Sequence, residues 1–267
     1  VTGGTFTVNQ AGSPASFTNT STGLIALSAG RIFDVNAGTL DLSAGLVSGT
    51  TGTLNTTGLT LLFSTATVQA RLTLNSTTVP GTYTIPAGDS LVLVSGSPTM
   101  TLVNNGRLVL LGATTLNGTV TTSATSVIEP RATDAYTNAN ATIATGFTNN
   151  GAIQLTSVGP TVGYSSTLTV PTGTLTNAVG ATITAVPGVG GNRTLAAVLD
   201  NQGTVAVPVG LTLTKTNAAH LNSGTINVTG GTFTVNQAGT PASFTNTGTI
   251  ALSAGRIFDV NAGTLDL

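Results

Sequence analysis

The sequence predicts an all-β chain wound as a parallel β-solenoid, with about three short strands in each coil of about 20–24 residues. Three observations predict it. A block of about 40 residues occurs twice, apolar residues alternate with polar ones in short runs, and an Asn-x-Gly turn recurs at coil-length intervals.

The duplicated block is Val1 to Leu42, which returns as Val228 to Leu267. The two copies differ by Ser13 against Thr240, Leu24 against Thr249, and the extra pair Ser21 and Thr22. Their offset is 227 residues before that insertion and 225 after it. Near-identity over such a distance marks recent duplication of a long unit. The chain therefore reads as one period of a tandem array followed by the start of the next.

Within the block, the runs Thr5-Phe6-Thr7-Val8, Ile25-Ala26-Leu27, Ile32-Phe33-Asp34-Val35 and Thr39-Leu40-Asp41-Leu42 alternate with period two. That is the signature of a strand with one buried side. No helical i, i+3, i+4 stripe outlasts one turn, and 34 glycines oppose a helix further.

The longer motif is Leu/Phe-x-Asn-x-Gly-x-Ile/Val. It appears around Asn104 and Gly106, Asn149 and Gly151, Asn201 and Gly203, Asn222 and Gly224, and Asn246 and Gly248, with a longer-turn version from Leu175 to Ile183. Glycines 151, 180, 203, 224 and 248 lie 29, 23, 21 and 24 residues apart. Strands of about eight residues within such an interval give three per coil. The coils must stack and pair in parallel, because one coil cannot bury its inward row alone. The glycines are expected to supply positive φ at the corners, and the asparagines to stack into a hydrogen-bonded ladder. A β-sandwich also has short, evenly spaced strands, but the repeat is too short for a sandwich domain.

Composition narrows the function. Seven Lys or Arg and eight Asp or Glu leave a net charge of −1. Nothing here attracts nucleic acid or an anionic membrane. The surface must be covered by Thr, Ser and Asn. There is no Cys, so neither disulfides nor thiolate metal sites are available. Apolar runs such as residues 108–113 are too short to span a bilayer.

Three regions follow: coils at 1–53, a thinner pattern at 54–144, and coils at 145–267, within which 228–267 repeats 1–42. In the middle region Pro80, Pro86, Pro98 and Pro130 interrupt the pattern, and Glu129, Arg131, Asp134 and Tyr136 gather scarce charge. It reads as irregular solenoid or as an inserted loop region, and loops on a solenoid carry its individuality.

The runs FTNNGAI, LNSGTINVTGGTFTV and FTNTGTIAL resemble the right-handed parallel β-helix of large secreted bacterial proteins, namely filamentous-haemagglutinin-like adhesins, autotransporter passengers and giant cell-surface repeat proteins. The resemblance covers Phe147 to Leu267 and Val1 to Leu42 well and the middle poorly. It implies a right-handed helix, an extracellular or cell-surface bacterial setting, and adhesion, surface coating, or filament and biofilm-matrix formation.

Chemistry is sparse. His220 is the single histidine, so no His-based triad or multi-His zinc site can form in one chain. It is expected at a coil corner. Gly188-Val189-Gly190-Gly191 lacks the Lys-Ser/Thr of a phosphate loop. Asp34 with Asp41, repeated as Asp259 with Asp266, form weak calcium candidates on outward positions, with Arg31 and Arg256 placed to pair with Asp34 and Asp259. Thr-x-Thr pairs such as Thr167/Thr169 and Thr212/Thr214 raise ice binding, but their register is expected to scatter. Asn-x-Ser/Thr occurs at Asn19, Asn55, Asn75, Asn117, Asn140, Asn192 and Asn227 and permits glycan attachment.

No catalytic residues, cofactor or certain metal site are expected. The reading is a non-enzymatic structural segment of a long extracellular array. Its partners are copies of itself end to end and side by side, and surface glycans. An adhesin module using residues 54–144 is the alternative, with ice-binding and polysaccharide-degrading β-helices behind it.

Overall fold

The computed structural model describes residues 1–267 except 13, 14, 65, 160–162 and 241. It is the parallel β-solenoid that the alternation predicts, about 11 turns long, with strands stacked about 22 residues apart. Thirty strands and no helix are present among the described residues.

Each coil contributes to three stacks, and inward residues from successive coils form columns. One column runs Val8, Val35, Thr56, Leu74, Gly96, Thr114, Ala141, Leu168, Leu195, Leu213, Val235 and Val260, each in register with the next. A second includes Phe17, Leu40 and Leu61, then Phe147, Leu175 and Leu199, and finally His220, Phe244 and Leu265. The third carries Ile128, Ile153, Ile183, Val205, Ile226 and Ile250. Most of these side chains are inaccessible to solvent and join one continuous core. Polar residues between them face out, which is why period two suffices to encode the fold.

The first column holds a relation that the sequence alone does not display. Val8 and Val235 are the same residue of the two block copies, and both stand in this column ten steps apart. Val35 and Val260 continue it. The duplication therefore has the period of a whole number of coils. At the interstrand spacing of about 4.8 Å, ten coils advance about 48 Å.

Residues 54–144 stay within the coil path. Their irregularity has three local forms. The register shifts between Thr78 and Thr82, around Pro80 and Gly81. It shifts again between Val94 and Gly96, where Ser95 and Gly96 have φ of 58° and 96°. Finally, an antiparallel bridge between Thr133 and Thr137 closes a small loop. That loop lays Tyr136 over Val92, Val94, Val109 and Leu111, making a second apolar cluster outside the main core.

The core column sets a stability prediction. Leu168 is fully buried in the middle of its stack. Leu168→Ala should lower unfolding free energy by about 2–5 kcal/mol, whereas outward Thr169→Ala should change it by less than about 1 kcal/mol. Urea unfolding followed by circular dichroism measures both.

Candidate functional site

Two built features stand out, a buried asparagine ladder along one corner and a charged overhang on the outer face of the middle coils. The ladder begins at Asn149, whose Nδ2 donates to Asn177 Oδ1 at 2.8 Å. Asn177 donates to Asn201 at 2.7 Å, Asn201 to Asn222 at 2.6 Å, and Asn222 to Asn246 at 2.6 Å. The first four side chains are completely buried. Each of these four amides also donates to the carbonyl of Thr182, Thr204, Thr225 or Thr249 in the following coil. The backbone carbonyls work in parallel: Asn177 O accepts from the N–H groups of Gln202 and Gly203, and Asn201 O from those of Ser223 and Gly224. A buried amide is costly unless satisfied, and here each rung satisfies the next.

The corner glycines have a different cause from the one the sequence suggests. Gly151, Gly203, Gly224 and Gly248 do not have positive φ. A Cβ on Gly224 would instead lie 2.1 Å from Gly203 O, and one on Gly248 2.2 Å from Gly224 O. Those carbonyls accept the N–H groups of Thr225 and Thr249, so the coils must approach closely at this corner. Gly180, counted with them by spacing, does have positive φ but sits in the open longer turn. Buried Ala181 precedes Thr182 there, as the glycines precede Thr204, Thr225 and Thr249 elsewhere.

His220 corrects another expectation. It is 1% exposed and points into the core beside Phe244, not out at a corner. Its Nδ1 accepts the Leu199 N–H at 3.2 Å, while Nε2 has no partner among the described residues. Burial lowers its pKa to about 4.

The carboxylate candidates are separated. Asp34 is in register with Thr7 and Asn55, whereas Asp41 is in register with Thr18 and Leu62, in another stack. Asp259 and Asp266 are parted in the same way, opposite Thr234 and Thr245. Asp34 accepts from the side-chain amides of Asn36 and Asn55. Asp41 accepts from the backbone N–H and hydroxyl of Ser43, which hold its pKa below the usual carboxylate value. Neither Arg31 with Asp34 nor Arg256 with Asp259 forms an ion pair; among the described residues both ion pairs fall on Glu129. No cluster of three metal-ligating side chains occurs among the described residues.

The threonines are more ordered than expected. Thr167, Thr194, Thr212 and Thr234 stand in register in one outward column. Two residues further along the strands, however, Ala196 and Asn236 interrupt the companion column. A continuous double row of hydroxyls is therefore not formed there.

Arg193 gave no signal in the sequence. Only 2% exposed, it folds residues 186–191 around its guanidinium, donating to the carbonyls of Val186, Gly190 and Gly191. The Gly-rich stretch is thus a loop wrapped on a cation.

The overhang lies in the middle coils. Glu129, 3% exposed, receives Arg107 and Arg131 together. Tyr136 reaches from its loop to Arg71, whose guanidinium carbon is 5.8 Å from the ring centroid and whose Nη1 donates to the phenol oxygen at 3.3 Å. Between this overhang and the neighbouring coils lies an open groove of about 530 Å³. Such pairing of Arg71 with residue 136 could not be read from a separation of 65 positions.

No family model and no curated protein matches the chain. Among solved structures, it is similar to the TibC-catalyzed hyper-glycosylated TibA fragment 55–350, at 14% identity over 99% of this chain and 100% of that one. The TM-score is 0.27, too low to support an argument about fold or function.

Two predictions follow from the buried polar groups. Asn201→Ala removes one rung and strands its neighbours, and should cost about 2–4 kcal/mol in urea unfolding. In acid, unfolded His220 takes up a proton near pH 6.5, whereas the folded chain resists until about pH 4. Stability is therefore lost as pH falls through that window, by about 3 kcal/mol at its lower end. His220→Phe should reduce the loss between pH 7 and 4.5 by about 2 kcal/mol in paired melts.

Proposed function

We propose that this chain is a structural segment of a long extracellular tandem-repeat protein that forms a filament, stalk, sheath or surface matrix. The observation that supports it is the phase of the duplication. Corresponding residues of the two copies occupy one column ten coils apart, so successive repeats continue one solenoid without changing its register. The work of such a chain is mechanical and non-catalytic. Ladders of backbone hydrogen bonds carry load along the axis, and a nearly uncharged surface permits neighbouring solenoids to lie together with little repulsion.

A second reading, an adhesin module, is favoured by the groove beneath Tyr136, which opens on the outer face and places an aromatic ring beside Arg71. A bacterial cell-surface setting suits both readings.

Electron microscopy of the native, full-length material tests the first. Fibres with an axial repeat of about 48 Å are expected. Discrete particles without that repeat would overturn the filament reading.

A further inference from the structure

We propose that the groove beneath Tyr136 binds a carboxylate-bearing saccharide. The inference deepens the adhesin reading and rests on it. It does not depend on the chain forming a filament.

With only seven Lys or Arg in the chain, each cation on the outer face is informative. Arg107 and Arg131 share the single carboxylate of Glu129. Arg71 forms no ion pair among the described residues; its polar contact is the phenol of Tyr136. A guanidinium has five N–H donors in a planar fork suited to a carboxylate. Most of that fork remains available at the groove.

The surroundings suit a sugar ring better than a peptide. The strands of these coils are paired on both sides within the solenoid, so an incoming peptide finds no open edge on this face to extend. Recognition must come from side chains. Tyr136 supplies an aromatic surface, and Ile32 and Val94 supply apolar wall. Thr53 stands in register with Arg71 in the adjacent coil, and Thr73 lies two residues along the same strand on the same side. Their hydroxyls are thus set about 5 and 7 Å from the Arg71 position, within the span of one or two pyranose rings. A groove of about 530 Å³ lies in the size range of small-ligand sites. In this arrangement the apolar face of the sugar packs on Tyr136, its hydroxyls meet Thr53 and Thr73, and its carboxylate takes the Arg71 fork.

Calorimetric titration of the 267-residue chain tests this with three probes: trigalacturonate, its carboxyl-reduced neutral counterpart, and a short polyglutamate. Trigalacturonate should bind at least tenfold more tightly than the other two. Arg71→Gln, with its fold checked by circular dichroism, should abolish the preference over the neutral sugar. Tyr136→Ala, in the surface loop, should weaken both saccharides and serves if Arg71→Gln fails to fold. No binding of either saccharide, equal binding of the acidic and neutral forms, or polyglutamate binding as tightly would overturn the proposal. Neither variant touches the core columns, so the axial repeat of fibres reports on the filament reading separately.

Discussion

Successive coils must hydrogen-bond to one another at about 4.8 Å along the whole axis, and the composition of this chain follows from that requirement. Whatever side chain one coil presents, the next coil presents another directly above it. Inward positions can then be filled by any apolar residue of suitable volume, and the first column accepts Val, Leu, Ala, Thr and even Gly. Outward charges would stack on one another and repel, whereas Thr, Ser and Asn do not. At the Asn-x-Gly corner the approach is close, and a single Cβ on Gly224 would collide with a carbonyl of the coil below.

Polar groups enter the core only where stacking satisfies them. The asparagine ladder works because every rung is both donor and acceptor, so a column of identical amides is self-consistent at the coil spacing. His220 interrupts the apolar column two residues away from that ladder, and its Nδ1 accepts the Leu199 N–H. Its second nitrogen is left without a partner among the described residues, and burial holds the ring neutral until about pH 4. The inward pair Thr56 and Thr77 shows the satisfied alternative, two buried hydroxyls bonded to each other at 2.8 Å.

Period-two alternation marks the strands, because one bit per residue, in or out, defines a strand, and the coil-length repeat of the turn motif separates a solenoid from a sandwich. The turn motif locates the ladder through Asn149, Asn201, Asn222 and Asn246, and its longer-turn version contains Asn177; Asn104, which also matches, donates to Val127 O instead of to a further rung. Other features depend on which coil lies above which, information that local pattern does not contain. The spacing of Asp34 and Asp41 suggested a pair, yet seven residues carry the chain around a corner into another stack. Local sequence suggests positive φ as the reason for the corner glycines, whereas the clash with the coil below that requires them leaves no mark on their own segment. Arg71 and Tyr136 meet across several coils, and nothing in either local sequence announces it.

The two block copies stand in one column, ten coils apart. Thr7 and Thr234 are corresponding outward residues of the two copies, and the chain has no native cysteine. Spin labels on Thr7→Cys and Thr234→Cys would therefore report the period directly by pulsed electron resonance. A single narrow distance near 48 Å is the result this account predicts. A broad distribution, or a distance below about 35 Å, the span of some seven coils at this spacing, would contradict it.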